Sequence, residues 1–385
     1  MHKILKPFLF GLALAPFAVA QDAAYSETWG VTTLEFPANS DTYLSLIFPR
    51  DEAFRGVVDS VDTSGSDPVI TFSGSPFSNG EFISGDDVFY LLVCSGPLDG
   101  SGNPTAASEE GAFATVIGNG TGNVVLSGPE ADGAFSDLNN IVGETVKIIP
   151  YWTLETLFPD GEGIAAITTT EEIGSKSEIL FPALPNVDDP STVGSAETGT
   201  NLPAATRVVL ADLGGEKRWV ETVDGFPGFE NEPLSPNSFL IVRNQTDSEL
   251  SVSHYGPVNT AAIRIPVGTV AANRAQDNPV GFVVPVELTI SDLNLETVVD
   301  GATSLDSFDE VLVYKSGTGV NRPADSRLLL ANGSWFLTSN PTPGNEVNDF
   351  MVDPGDALVI RKAAGPVRVS EWILLPEALR NLSNR

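Results

Sequence analysis

Proton transfer near neutral pH most often uses histidine, and this chain of 385 residues carries two, His2 and His254. His2 lies in an N-terminal run expected to be removed on export, which leaves one imidazole. A single histidine excludes a multi-histidine metal centre, including the HExxH zinc arrangement. A Ser-His-Asp triad would need His254 as its base, yet SVSHYGP (251–257) offers no nucleophile elbow and the chain contains no GxSxG. His254 is therefore read as a surface or strand-end histidine. Cys94, the one cysteine, sits in the apolar run VFYLLVCSG and is read as a buried structural thiol, because a thiol in an apolar strand is poorly activated.

Carboxylates are the remaining reactive groups, 51 Asp and Glu in all. Two at a suitable separation suffice for glycoside hydrolysis, but no motif singles out a pair, and no catalytic residue is assigned. Calcium is the metal this composition permits, since its ligands are carboxylate and carbonyl oxygens. Asp86 with Asp87, Asp188 with Asp189, and Asp306 with Asp309 and Glu310 form acidic clusters without EF-hand spacing. Solvated turn acids are the preferred reading there, and no ligand is assigned. GNGTGN (118–123) lies between two β runs and reads as a hairpin tip, not a phosphate loop. The candidate binding residues are Trp219, Trp335, Arg207 and Arg327. The two indoles are either stacking platforms for a glycan or lids on a β core, and the core is preferred. The two arginines either hold an anionic ligand or form structural salt bridges, and the bridges are preferred.

These residues gain meaning from the elements that hold them. Short runs such as VITF, VFYLLV, TVKIIPYW, RVVLADL, FLIVRN, VLVY and ALVIRK alternate with Gly, Pro, Asn and Asp clusters, the texture of an all-β protein. Asn332-Gly333 in LLLANGSWFL marks a tight hairpin. Two phrases, TGTNLPAATR (198–207) and TGVNRPADSR (318–327), occur in one order of neighbours: Glu178-Ile179-Leu180 or Glu310-Val311-Leu312 before, then RVVL or RLLL, then Trp219 or Trp335, then SPNSFLIVRN or DPGDALVIRK. The first copy is longer, around NVDDPSTVGSAE, as loops tolerate. Tandem β-sandwich or barrel-like units with an internal duplication are expected, partitioned as 1–20 leader, 21–168 N-terminal β domain, 169–260 first repeated unit, and 261–385 linker strand with the second repeated unit. IPVGTVAANRAQDNPVGFVVP is expected to be the connection, with an edge strand at most because of its prolines. VGETVKIIPYWTLETLFP echoes the end of the second unit, so the N-terminal domain is a candidate third copy.

MHKILKPFLFGLALAPFAVA has the form of a secretory leader, with Lys3 and Lys6 ahead of a short apolar run and Ala-Val-Ala at its close. The formal net charge of −31 disfavours nucleic acid and anionic membrane surfaces as partners. No later apolar run is long enough to span a bilayer, and the short, continuously apolar strands do not fit an outer-membrane barrel.

ANSDTYLSLIFPR, VKIIPYWTLETLFP, QDNPVGF and the paired IVRN and VIRK endings together resemble a family of uncharacterised secreted proteins found chiefly in Verrucomicrobia and related bacteria. The resemblance covers nearly the whole chain beyond the leader and implies export and this architecture. It assigns no activity or ligand. Arg218-Trp219 in the first unit becomes Ser334-Trp335 in the second, a departure from the basic-Trp pair associated with such units. The reading that follows is an exported non-catalytic structural or binding protein, adhesive or glycan-binding, in the periplasm, on the cell surface or outside the cell. Self-association or a glycan is the expected partner. The alternative is a secreted carboxylate-dependent enzyme acting on polysaccharide.

Overall fold

The computed structural model describes residues 28–97, 108–127, 135–182, 200–201, 203–212, 214–269, 272–302 and 308–374. It is nearly all β, as the sequence implies, and contains a closed barrel and two five-stranded sheets, each sheet faced by a two-stranded ribbon.

The chain opens with β1 (Trp29–Phe36) and β2 (Ser40–Ser45), then enters the barrel: β3 (Phe54–Asp62), β4 (Val69–Phe72), β5 (Phe89–Val93), β6 (Phe113–Asn119), β7 (Asn123–Leu126) and β8 (Thr145–Pro150), closed in the order β3-β4-β7-β6-β5-β8. GNGTGN is the tip of the β6–β7 hairpin, as expected. Edge-to-face phenylalanines fill the barrel: Phe77 touches Phe54, Phe72 and Phe82 at centroid distances of 4.6, 5.5 and 5.0 Å. The first and last barrel strands pair, Phe54 opposite Ile148, so the barrel leaves and rejoins the rest of the chain at one place.

After the barrel come β9 (Ser177–Phe181), β10 (Thr206–Asp212), β11 (Lys217–Glu221), β12 (Phe239–Asn244) and β13 (Leu250–Pro257). The first large sheet runs β11-β10-β9-β12-β2, and β13 pairs with β1. The second half supplies β14 (Ile263–Thr269), β15 (Gln276–Gly281), β16 (Leu288–Thr289), β17 (Glu310–Tyr314), β18 (Ser326–Ala331), β19 (Ser334–Leu337), β20 (Met351–Val352), β21 (Ala357–Lys362) and β22 (Arg368–Leu374). Its sheet runs β19-β18-β17-β21-β15, and β22 pairs with β14. Apart from the short β16–β20 pair, whose place in the first half is taken by a single bridge between Trp152 and Leu234, the two halves share one scheme. Each also has a one-turn helix with a reciprocal side-chain cap, Thr153 with Thr156 and Thr289 with Asp292. Where the second half has Phe282 to Glu287 between β15 and β16, the first carries the whole barrel.

This pairing differs from a partition made in chain order. Residues 29–45, placed with the N-terminal domain in the 21–168 segment, lie in the sheets of the first unit, and the barrel is an insertion into that unit. The strand order of the barrel differs from that of the two sheets, so the echo in VKIIPYWTLETLFP does not make it a third sheet of this kind. The stretch read as a connection forms β14 and β15. Pro279 is accommodated because β15 is an edge strand, and Pro266 because β14 has one partner. The tail PEALRNL and the longer loop of the first copy lie outside the described residues.

The two large sheets pack face to face. Along β12, Leu240 and Val242 enter the core of the first unit, whereas Phe239 and Ile241 meet the other sheet; along β21, Leu358 and Ile360 face the second core, and Ala357 and Val359 face the first sheet. FLIV and ALVI are continuous apolar runs because both faces of these strands are covered. Tyr43 and Tyr314 meet across the seam at 4.8 Å.

The duplicated phrases interlock at this seam. Arg243 pairs with Asp41 (2.6 and 2.8 Å) and also donates to the Asn321 carboxamide at 2.7 Å, while the Asn321 backbone N–H donates to Asp41 at 2.6 Å. Reciprocally, Arg361 pairs with Asp277 (2.6 and 2.9 Å) and reaches Asn201 at 2.9 Å, and the Asn201 N–H donates to Asp277 at 2.8 Å. Each phrase thus closes an ion pair belonging to the other half. Both asparagines adopt positive φ, 53° and 51°, which Asn tolerates better than other side chains.

Candidate functional site: an aromatic cleft at the root of the barrel

A cleft of about 250 Å³ lies where the β1–β13 ribbon, the root of the barrel and the helix Leu154–Leu157 meet. The ribbon builds one wall by alternation. Trp29, Val31, Thr33 and Glu35 on β1 project outward with Tyr255, Ser253 and Ser251 on β13, while Leu34, Phe36 and Val252 turn into the core. Trp29 and Tyr255 stack with centroids 6.2 Å apart and planes 27° from parallel, yet remain 51% and 64% exposed. Val31 beside them is 74% exposed. Glycines set the depth of the wall: a Cβ on Gly30 would stand 2.3 Å from the Phe48 ring, and one on Gly256 would stand 2.7 Å from the Pro49 carbonyl. The ribbon therefore lies directly on Phe48-Pro49.

Behind this platform, Trp152 donates its indole N–H to the Phe48 carbonyl at 2.8 Å and lies 4.7 Å edge-on to His254. Arg50 stands 5.9 Å over the Trp152 ring and is held by Asp87 at 2.5 Å and the Tyr151 carbonyl at 3.1 Å. Among the described residues Asp51 is the one carboxylate in the lining. His254 is buried in mid-strand between Phe48 and Trp152, not at the surface or a strand end as its sequence context suggests. Desolvation pulls its pKa from 6.5 down to about 4, and its Nε2 is buried without a hydrogen-bond partner. It is a neutral ring at physiological pH. Among the described residues the arrangement offers an aromatic surface, exposed hydroxyls and one acid.

The residues singled out from sequence lie elsewhere. Trp219 and Trp335 occupy matching places, opposite Leu210 and Leu330, and are 0% and 3% exposed, so neither offers a ring face to solvent. Arg207 chelates Glu178 (2.8 Å to each oxygen) and Arg327 chelates Glu310 (2.7 and 2.5 Å). Cys94 is pushed up to about 12 by burial, as an inert thiol would be. Among the acidic clusters, Asp87 is bound to Arg50, Asp309 to Lys362, and Glu310 to Arg327; Asp188, Asp189 and Asp306 lie outside the described residues. Among the described residues no group of three or more His, Cys, Asp and Glu could hold a metal ion, and no helix is long and apolar enough to cross a membrane. Trp29, Trp152 and Tyr255 escaped the sequence reading because nothing in WGVTT or SHYGP marks strands that meet across the barrel insertion.

No protein-family model, curated protein or solved structure matches this chain.

Proposed function

We propose that this is an exported, non-catalytic binding protein of the cell envelope or extracellular space, with the aromatic cleft as its contact surface. The observation that carries the reading is the exposed, stacked Trp29–Tyr255 pair: two large rings left in water beside a concave lining mark a binding surface more often than a packing remnant. Among the described residues the lining has one carboxylate where glycoside hydrolysis needs two, and the conspicuous repeated residues are used up in cores and ion pairs. The matching strand schemes support an origin by internal duplication. The leader-like N-terminus and the resemblance to secreted bacterial proteins support export. Signal cleavage is tested by N-terminal sequencing of the expressed protein, expected to begin at Gln21. Binding without catalysis is tested by screening polysaccharides for retention and for release of reducing ends; cleavage of a retained polysaccharide would overturn the non-catalytic reading.

A further inference from the structure

The outer face of the ribbon has a graded chemistry that narrows what it can hold. At one end Trp29, Tyr255 and Val31 present nearly parallel rings and an aliphatic side chain; two residues along, Thr33, Ser253 and Ser251 present exposed hydroxyls. The strip lies directly on Phe48-Pro49 because Gly30 and Gly256 carry no side chain. Such a face matches a molecule that is apolar on one side, rich in hydroxyls at its edges, and extended. Pyranose rings have that character, with C–H faces for aromatic rings and hydroxyls for Ser and Thr.

Charge narrows the class further. The whole chain carries a formal net charge of −31, Glu35 stands near one end of the strip and Asp51 in the cleft lining, and the lining's Arg50 is already engaged by Asp87. A polyanion would approach against repulsion, and a polycation would gather over the whole acidic surface with nothing to single out this face. Building on the binding reading above, we propose that the β1–β13 face holds an uncharged polysaccharide chain, stacked on Trp29 and Tyr255 and running toward Ser253 and Ser251, with the Asp51–Trp152 cleft receiving a neighbouring sugar.

The test is affinity electrophoresis of the intact protein through gels containing neutral polysaccharides (mixed-linkage glucan, xylan, amylose) or charged ones (alginate, carrageenan, chitosan), beside W29A, Y255A and Y255F. Retardation by a neutral polymer is expected, weakened about tenfold in W29A and in Y255A, largely kept in Y255F, and insensitive to added salt. Thermal midpoints of the exposed-site variants should stay at the parent value, which separates lost binding from lost fold. Neutral-polymer retention unchanged in both alanine variants would overturn this site and leave the binding reading standing. Retention by the charged gels alone would overturn the ligand class. No retention in any gel, or a dimer in sedimentation that W29A renders monomeric, would overturn glycan binding itself; in the second case the face belongs to another copy of the chain.

Discussion

Trp219 and Trp335 close the two unit cores from matching hairpins, and truncation to Ala is expected to cost about 3–5 kcal/mol in each, read by denaturant unfolding. The Trp219 indole N–H is buried without a partner, so Trp219→Phe loses volume but no hydrogen bond and should cost well under half as much. His254 and Asp356 predict opposing pH effects. The His254 pKa is lowered to about 4 by burial, so between about 6.5 and 4 the unfolded chain binds the proton more readily, and this group's contribution falls as pH drops. Burial raises Asp356 to about 6, so the folded chain holds that proton longer, and the contribution of Asp356 falls as pH rises from 3.8 to about 6. Each contribution is on the order of 3 kcal/mol. Unfolding free energy measured from pH 4 to 8 should lose slope on the acid side in H254N and gain stability above pH 6 in D356N.

At the scale of elements, the clasp between the sheets depends on two loops and two ion pairs. Asp41 is 2% exposed, so Arg243→Ala leaves a carboxylate facing only the Asn321 N–H, at an expected cost of about 3 kcal/mol. Asn321 contributes both a carboxamide and a positive φ. Asn321→Gly keeps the backbone and loses the contact to Arg243, whereas Asn321→Ala loses both and should be worse by about 1 kcal/mol. A double-mutant cycle between R243A and N321A should show coupling of roughly 0.5–3 kcal/mol; additivity would mean that the loop lies over the ion pair without supporting it. The spelling TGxN was visible in sequence, as were the strands, the Asn332-Gly333 turn and the equivalence of the arginines. The partner of each phrase was not, because Asn201 and Asn321 meet Arg361 and Arg243 through the seam and not along the chain.

For the whole molecule, the barrel is held at two places. Its root joins the first unit, and the segment before β6 meets the second: Glu109 lies 3.6 Å from buried Arg264, itself bound to Glu371 of the second unit at 2.5 Å, and the Ala262 N–H donates to Glu110 at 3.1 Å. Gly111 fits only without a side chain, a Cβ there standing 2.4 Å from the Ala262 carbonyl. Arg264→Ala is expected to cost about 3 kcal/mol by taking the cation from buried Glu109 and half-buried Glu371. It should also split calorimetric unfolding into two transitions as the barrel comes loose from the sheets. A single transition lowered in temperature would mean that the barrel root alone keeps the molecule cooperative.

The sequence by itself determined what is local: an all-β chain, the positions of most strands, two hairpins, two matching sets of strands, and a scarcity of proton-transfer groups. These follow from side-chain size, β-branching and turn chemistry within a few residues. Tertiary structure alone decided that β1 and β2 complete a unit whose other strands lie beyond the barrel, because strand pairing is a contact between distant segments and leaves no trace in spacing. It likewise decided which aromatics are buried. Trp219 and Trp29 are the same residue type in similar β runs, but one faces a covered sheet and the other the outside of a two-stranded ribbon, and only the packing of a second layer distinguishes those faces.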